Sequence, residues 1–429
     1  MDPKKTTVST SHAAYGLIIL LLINSVNYMD RYVVSILLPL IKSDLALSDT
    51  ELGLIGGVAF TVFYAVMALP MGWAVDRFIR KYVLTFGIFI WSLATAFSGL
   101  ASSFSTFFIA RAFTGTGESS AHPSGVSLIG DYFSQKVRTI AIALFQIGVP
   151  IGAGLGIILG GILAKNLGWR STFYIYAIPG ILLIPFILFM KEPVRGSSEG
   201  LSIDKKARAG FAGFINTVIK ILSSKTLIYH YAATALIMFG SQGFNFWLPT
   251  YLNRVRGFEL EAAGKIAGIG MLVGGFVGAL GGAIVADVWF RKNKKARLLV
   301  QTWAALLTVP FMLLTLLTTS TPIMITSIFF AIILFVAMFP ILSAIIADLV
   351  EPGDRGVGMA LLLLLQTGIG FSLGPLVVGA ISDASGSLVS GLFVLPIASI
   401  LVFILGILGL RHILEDYERV MARTGRASR

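Results

Sequence analysis

Gly72-Trp73-Ala74-Val75-Asp76-Arg77-Phe78-Ile79-Arg80-Lys81 is echoed 211 residues later by Ala283-Ile284-Val285-Ala286-Asp287-Val288-Trp289-Phe290-Arg291-Lys292. Each stretch closes an apolar run with an acid, followed four and five residues on by a basic pair. Two further echoes share nearly the same offset. Asp131 and Arg138 precede Asp348 and Arg355 by 217 residues, and Pro39 precedes Pro249 by 210. Three coincident repeats at 210–217 residues read as an internal duplication. The duplicated unit holds six apolar runs.

Working outward, twelve such runs fill the chain, at 14–40, 51–75, 82–103, 106–130, 138–164, 169–190, 226–252, 262–287, 298–318, 322–349, 356–382 and 388–410. Each is long enough to cross roughly 30 Å of hydrocarbon as a helix, and too long and unbroken for the strands of a barrel. The composition agrees: 56% of residues are hydrophobic and 13% charged, with a mean hydropathy of +0.87. A soluble chain of this length has no core large enough for that much apolar surface. The expected fold is therefore an all-α membrane protein of twelve transmembrane helices in two pseudo-symmetric six-helix bundles. Residues 1–190 form the first bundle, 191–225 a basic cytoplasmic linker, and 226–429 the second bundle with a tail. The start of the chain lacks the pattern of a cleavable signal, because its first apolar run is too long. There is no cysteine, hence no disulfide or thiol chemistry.

The net charge of +12 is unevenly placed. With the N-terminus inside, 25 of the 33 Lys and Arg fall in cytoplasmic tails and loops. Five fall outside: Lys42, Lys165, Arg170, Arg254 and Arg256. This bias predicts cytoplasmic termini rather than nucleic-acid binding. The linker cations Lys205, Lys206, Arg208, Lys220 and Lys225 suit an anionic inner leaflet.

Gly72-x-x-x-Asp76-Arg77-x-x-Arg80-Lys81 resembles the cytoplasmic signature of the major facilitator superfamily, with Ile79 where that signature has glycine. Arg111-x-x-x-Gly115-x-Gly117-Glu118 and Gly148-Val149-Pro150-Ile151-Gly152-Ala153-Gly154-Leu155-Gly156 resemble its signatures in the fourth and fifth helices. Asn27-Tyr28-Met29-Asp30-Arg31-Tyr32 and Gly130-Asp131-Tyr132-Phe133 are similar to the Spinster branch. Organic-anion symporters of the same superfamily share the Asn-Tyr-x-Asp-Arg run and stand as the alternative. The resemblance implies alternating-access transport of a lysophospholipid or sphingoid phosphate type of substrate, in a plasma (bacterial inner) membrane. It also implies a cytoplasmic gate of Asp76, Arg77, Arg80, Asp131 and Arg138. In that gate the signature latches the halves in the outward-open state, and Asp76 faces the positive end of the eleventh helix.

A charge in hydrocarbon costs about 2.5–3.5 kcal/mol on insertion scales, so each one is a functional candidate. Asn24, Asn27 and Arg31 share one face of the first helix, with Asp30 at its margin. Arg111, Gly115, Glu118 and His122 share a face of the fourth, Arg111 and Glu118 lying about 10 Å apart along its axis. Both stripes must face an interior. Burial favours a protonated carboxylic acid and a nearby arginine the ionised one, so Asp30 and Glu118 are the proton-coupling candidates. Permanent ion pairs, Asp30 with Arg31 and Glu118 with Arg111, are the bland reading. His122 is the intramembrane histidine considered for a relay. The second half has no equivalent charges and offers amides and aromatics: Gln242, Phe244, Asn245, Phe246, Trp247, Gln366 and Phe371. A polarised cavity of this kind suits an amphipathic substrate bound by Asn27, Arg31, Arg111, Phe244, Asn245, Trp247 and Gln366.

Glycines recur at four-residue spacing, at Gly148, Gly152 and Gly156, at Gly274, Gly278 and Gly282, and at Gly370 and Gly374. They provide either tight packing or a sliding surface. No reactive constellation, phosphate loop or metal-ligand cluster is visible, so neither an enzyme nor an ATP-driven pump is expected, and no cofactor. A channel has no need of a charged latch in each half. A lipid scramblase on the same fold stays open. The expected partners are a small amphipathic or anionic substrate, protons and membrane lipid, for a monomer.

Overall fold

The computed structural model describes residues 9–195, 211–351 and 353–424. Among them every regular element is helical. The order is α1 (Thr10–Leu45), α2 (Asp49–Gly53), a π-helical segment Leu54–Ala59, α3 (Phe60–Arg77), α4 (Arg80–Gly99), α5 (Phe104–Glu118), α6 (Ala121–Tyr132) and α7 (Gln135–Leu188). Then come α8 (Phe211–Leu222), α9 (Lys225–Arg254), α10 (Leu260–Phe290), α11 (Ala296–Leu317), α12 (Thr321–Leu349) and α13 (Arg355–Leu364). A second π-helical segment, Leu365–Phe371, leads into α14 (Ser372–Ser385), α15 (Leu388–Leu392), α16 (Val394–Leu410) and α17 (Ile413–Thr424).

Nine helical stretches among the described residues are long and apolar enough to cross a membrane. One of them, α7, runs for 54 residues, about 80 Å if it were straight. It is not straight. Gly168 takes φ 79° and ψ 167°, a backbone state closed to side-chain-bearing residues, and breaks the helix there. Tyr176 then donates to the carbonyl of Gly156 at 2.7 Å, so the two arms of α7 lie side by side. Other ends are set by local chemistry. A capping box of Ser48 and Glu51 starts α2 and one of Ser103 and Thr106 starts α5. Gly386, at φ 69°, closes α14.

The chain divides into two compact units. One is Met1–Lys206 with Leu252–Gly268, the other Ala207–Tyr251 with Ile269–Arg429. In the first unit α1 packs along α7 at backbone distance. A Cβ on Gly152 would stand 2.1 Å from the carbonyl oxygen of Ser25, and one on Gly156 2.6 Å from that of Met29. Lys42 and Arg254 both grip the buried carboxylate of Asp49, at 2.5 and 2.7 Å, and Lys165 reaches Glu259 at 2.7 Å. Several cations counted as outer charges are thus paired. In the second unit Gly278 and Gly282 of α10 meet the carbonyls of Ile333 and Ala337 in α12 in the same close manner, at 2.5 and 2.2 Å. The four-residue glycine rows are tight packing surfaces. Outward, Leu69 is 80% exposed and Phe189 78%, a surface that suits lipid and not water.

Two helices fall where a linker and a tail were expected. The segment 191–225 contains α8, whose twelve residues are too few for a span. It buries Ile221 and is tied down by Lys220, whose ammonium reaches Asp354 at 2.8 Å and Glu351 at 2.6 Å. Those carboxylates hold Lys220 above the usual lysine range. The tail forms α17. Lys205, Lys206 and Arg208 lie outside the described residues.

Candidate functional site

The intramembrane charges of the first unit meet in one buried cluster, but they pair across helices. Arg31 of α1 donates to Glu118 Oε2 of α5 from Nη2 at 2.9 Å and Nε at 3.3 Å. Asp30, its neighbour on α1, turns the other way. It accepts a hydrogen bond from Thr95 of α4 and stands 4.0 Å from Arg111 Nη1. The pairs of the bland reading, Asp30 with Arg31 and Glu118 with Arg111, are not the ones formed; the pairing is crossed. Adjacent residues on a helix diverge by about 100°, so Asp30 and Arg31 cannot share a partner. Arg111 is 1% exposed, Asp30 2% and Glu118 0%.

The aromatic lining of this cluster comes from its own unit. The Arg31 guanidinium lies 4.6 Å from the ring centres of Tyr28 and Phe60 and 5.0 Å from Tyr64. Phe60 also underlies Arg111 at 5.3 Å. The π-helical turn Leu54–Ala59 ends at Phe60 and so aims that ring between two arginines. Gly115 makes room for it, since a Cβ there would stand 2.3 Å from the Phe60 carbonyl oxygen. Sequence reading missed Thr95, Phe60 and Tyr64, which no charge singles out.

The cluster is incompletely satisfied. Asn27 Oδ1 accepts from Arg31 at 3.4 Å, but its Nδ2 has no partner. Asp30 Oδ1, Glu118 Oε1 and Arg111 Nε and Nη1 are likewise buried without a hydrogen bond. Each such group costs about 1–3 kcal/mol unless water, a proton or a ligand meets it. His122 lies beyond a break at Ser119 and Ser120, exposed, with its ring 6.1 Å from Phe145. His230, in α9, is 1% exposed and bonds the Leu342 carbonyl at 3.0 Å.

In the second unit, Asn245 donates to Ser241 at 3.2 Å and keeps a free carbonyl oxygen. Trp247 is fully enclosed with its indole N–H on the Pro375 carbonyl at 2.9 Å, and Phe244 is buried against Phe335. Both rings fill the unit's interior in this structure. Gln366 is half-buried within the π-helical segment Leu365–Phe371.

At the end of α3, Asp76 is exposed and Arg77 lies 5.5 Å from the Trp73 ring. Arg80, 1% exposed, is the hub. It binds Asp131, Ser127 and Glu192, the last at 2.7 Å, and donates to the Pro193 carbonyl at 2.7 Å. Arg138 sits half-buried in the first turn of α7. Three groups lace the surrounding helix ends. Glu192 accepts from the Arg80 and Lys81 amides at 3.2 and 3.3 Å and so caps α4. Lys81 Nζ caps α7 through the Leu188 and Met190 carbonyls, at 3.0 and 3.1 Å. Arg195 caps α3 through the carbonyls of Val75, Asp76 and Phe78. Ile79 has φ −65° and ψ 115°, ordinary extended backbone, so this turn needs no glycine. Sequence reading missed Glu192 and Arg195, although the run Lys191-Glu192-Pro193-Val194-Arg195 sets opposite charges where a helix ends.

The profile of the Major Facilitator Superfamily matches residues 20–336. Protein spinster homolog 3 of Danio rerio is 27% identical over 399 residues, 89% of this chain and 79% of that protein. An MFS-type efflux pump of Mycolicibacterium smegmatis is 26% identical over 395 residues, 90% of each chain. Sphingosine-1-phosphate transporter SPNS2 of Danio rerio is 32% identical over 297 residues, 65% of this chain and 57% of that protein. In fold, the chain is similar to the crystal structure of a bacterial homolog of the human lysosomal transporter Spinster, inward-facing and unoccupied. The TM-score is 0.83 at 24% identity, over 95% of this chain and 99% of that one. Profile, relatives and helical fold agree: the chain belongs to the Major Facilitator Superfamily and is, within it, an integral membrane transporter of the Spinster type.

Proposed function

We propose that this chain is a proton-coupled secondary transporter that moves an amphipathic, anionic, lipid-like substrate by alternating access. One observation carries the reading. Two arginines and two carboxylates lie together in the first unit, with buried polar atoms left unmet on Asp30, Glu118 and Arg111. A permanent structural network would satisfy those atoms. A site that exchanges protons and receives an anionic head leaves them open. Asp30 and Glu118 carry the proton, Arg31, Arg111 and Asn27 hold the head, and Asn245 and Gln366, backed by Phe244 and Trp247, serve the remainder of the substrate. Sphingosine-1-phosphate, for which the SPNS2 relative is named a transporter, has this chemistry.

The working architecture is twelve spans in two bundles, 1–190 and 226–429, with both termini cytoplasmic in a bacterial inner membrane and the protein a monomer. Support comes from the fold-back of α7, from the α5–α6 stretch and α9 as additional spans, and from the cation bias. Asp76, Arg77, Arg80, Asp131 and Arg138 form the cytoplasmic gate.

The test is uptake of a fluorescent lysophospholipid into proteoliposomes under an imposed pH gradient. Wild type responds to the gradient, while Asp30→Asn and Glu118→Gln remain inserted and lose the response. Affinity rises with acyl-chain length, since each buried methylene contributes about 0.8 kcal/mol. Unchanged pH dependence in both variants removes the proton site. A flat chain-length series with full competition by a sugar acid makes the protein an organic-anion symporter, and downhill flux indifferent to pH makes it a scramblase.

A further inference from the structure

The first unit carries a groove of about 610 Å³ between α4 and α5, opening where Phe97, Ile109 and Phe113 are exposed. Its floor is Ala94 and Ala110, both buried, and its walls are Leu93, Phe97, Ile109 and Phe113. The spacing explains the shape. Leu93 and Phe97 on α4, and Ile109 and Phe113 on α5, stand one turn apart and form two ridges, with alanine between them where the helices meet. Phe97, Ile109 and Phe113 are each more than half exposed. The polar side chain in the lining is Thr106, and its hydroxyl is already bonded to Ser103. The groove asks for an apolar occupant.

Its length and its end identify that occupant. From Ile90 on α4 to Ala101 just past its end, the lining covers eleven residue steps, about 16 Å at helical rise. That is half of a roughly 30 Å hydrocarbon core, the depth of one leaflet. At the end of the groove stands Arg170. Its Nη2 donates to the Ala101 carbonyl at 3.0 Å, its plane lies 4.1 Å from the Trp169 ring, and its other arm meets Asp44. Its side chain is still 40% exposed. With Nη1 on Asp44 and Nη2 on the Ala101 carbonyl, its Nε and exposed flank remain for the phosphate of a lipid in the outer leaflet.

We infer that the α4–α5 groove binds one acyl chain of a bilayer phospholipid whose phosphate lies at Arg170. Lipid tails are as apolar as the groove, so burial alone gives no preference over the surrounding bilayer. Selection rests on the fit to the alanine floor and on the arginine. The site also bears on the interior, because Thr95 and Arg111 directly follow Ala94 and Ala110 in the chain and face Asp30. A lipid seated here holds α4 and α5 at the spacing the Asp30 contacts require.

The experiment is native mass spectrometry of the full chain reconstituted with phosphatidylglycerol and then stripped stepwise by detergent. Wild type retains one phospholipid to high detergent. Ala110→Phe, which fills the floor, and Arg170→Gln, which removes the cation, each lower that occupancy at least fivefold. Ala110 is buried and its variant is at risk of misfolding. The lipid-facing Phe97→Ala and Phe113→Ala pair therefore removes the walls instead, with the same expected loss. Equal retention in Arg170→Gln and in the wall pair overturns the inference. So does displacement of the retained lipid by a lysophospholipid that the protein transports, which makes the groove a substrate route.

Discussion

The crossed ion pairs can be tested by double-mutant cycles on Arg31–Glu118 and Arg111–Asp30. At an effective dielectric of about 20, two unit charges attract by roughly 6 kcal/mol at the 2.9 Å of the first pair. At the 4.0 Å of the second the figure is roughly 4 kcal/mol. Desolvation offsets most of either value in the folded protein, but it largely cancels in a cycle. The coupling between Arg31 and Glu118 should therefore exceed that between Arg111 and Asp30 by about 2 kcal/mol. The cost of Glu118→Gln alone is smaller than the usual 3–5 kcal/mol for stranding a buried charge. Arg31 keeps Asn27 and three aromatic faces, each face worth about 0.5–2 kcal/mol. The assay is reversible unfolding in mixed micelles at pH 8, with single and double Gln and Asn variants of each pair. Repeating it at falling pH fixes the sign: coupling is present where the carboxylate is ionised and disappears as pH drops through its pKa. Equal couplings, or a larger one for Arg111–Asp30, would refute the crossed arrangement.

Two further outcomes follow from the packing. Gly152→Val should fail to give folded protein, because its first side-chain carbon meets the Ser25 carbonyl oxygen at 2.1 Å; size-exclusion profiles in detergent read this, with Gly72→Val, which has open space, as the control. Asp49→Asn should lower thermal stability by about 2–4 kcal/mol, since it leaves Lys42 and Arg254 crowded around a neutral amide, and Lys42→Gln in the same chain should restore part of the loss.

Asp30, Arg31, Arg111 and Glu118 were legible in the sequence because hydrocarbon makes any charge conspicuous. Their partners were not. Pairing depends on how α1, α4 and α5 rotate against one another, and those rotations are set by backbone contacts such as Gly115 on Phe60. The repeated charges were legible for the same reason that α8 was not. Echoes of charge at a fixed offset survive in a string of letters, whereas a twelve-residue helix docked by Lys220 looks like any basic linker. Phe60 and Tyr64 lay hidden among 31 phenylalanines and 12 tyrosines, and a π-helical turn singles them out only in three dimensions. Trp247 shows the converse. An aromatic beside amides was legible as a candidate, but the buried Pro375 carbonyl that its N–H meets was not.

The lacing at Arg80, Lys81, Glu192 and Arg195 has a mechanical consequence. Glu192 and Arg195, among the five residues that leave α7, close the ends of α4 and α3, while Lys81 at the start of α4 closes the end of α7. A pull on the chain at Arg195 loads all three ends, because the segment that caps α3 and α4 continues from the α7 end that Lys81 holds. Uncapping is thus a single event: below some load nothing yields, and above it the ends of α3, α4 and α7 come free together.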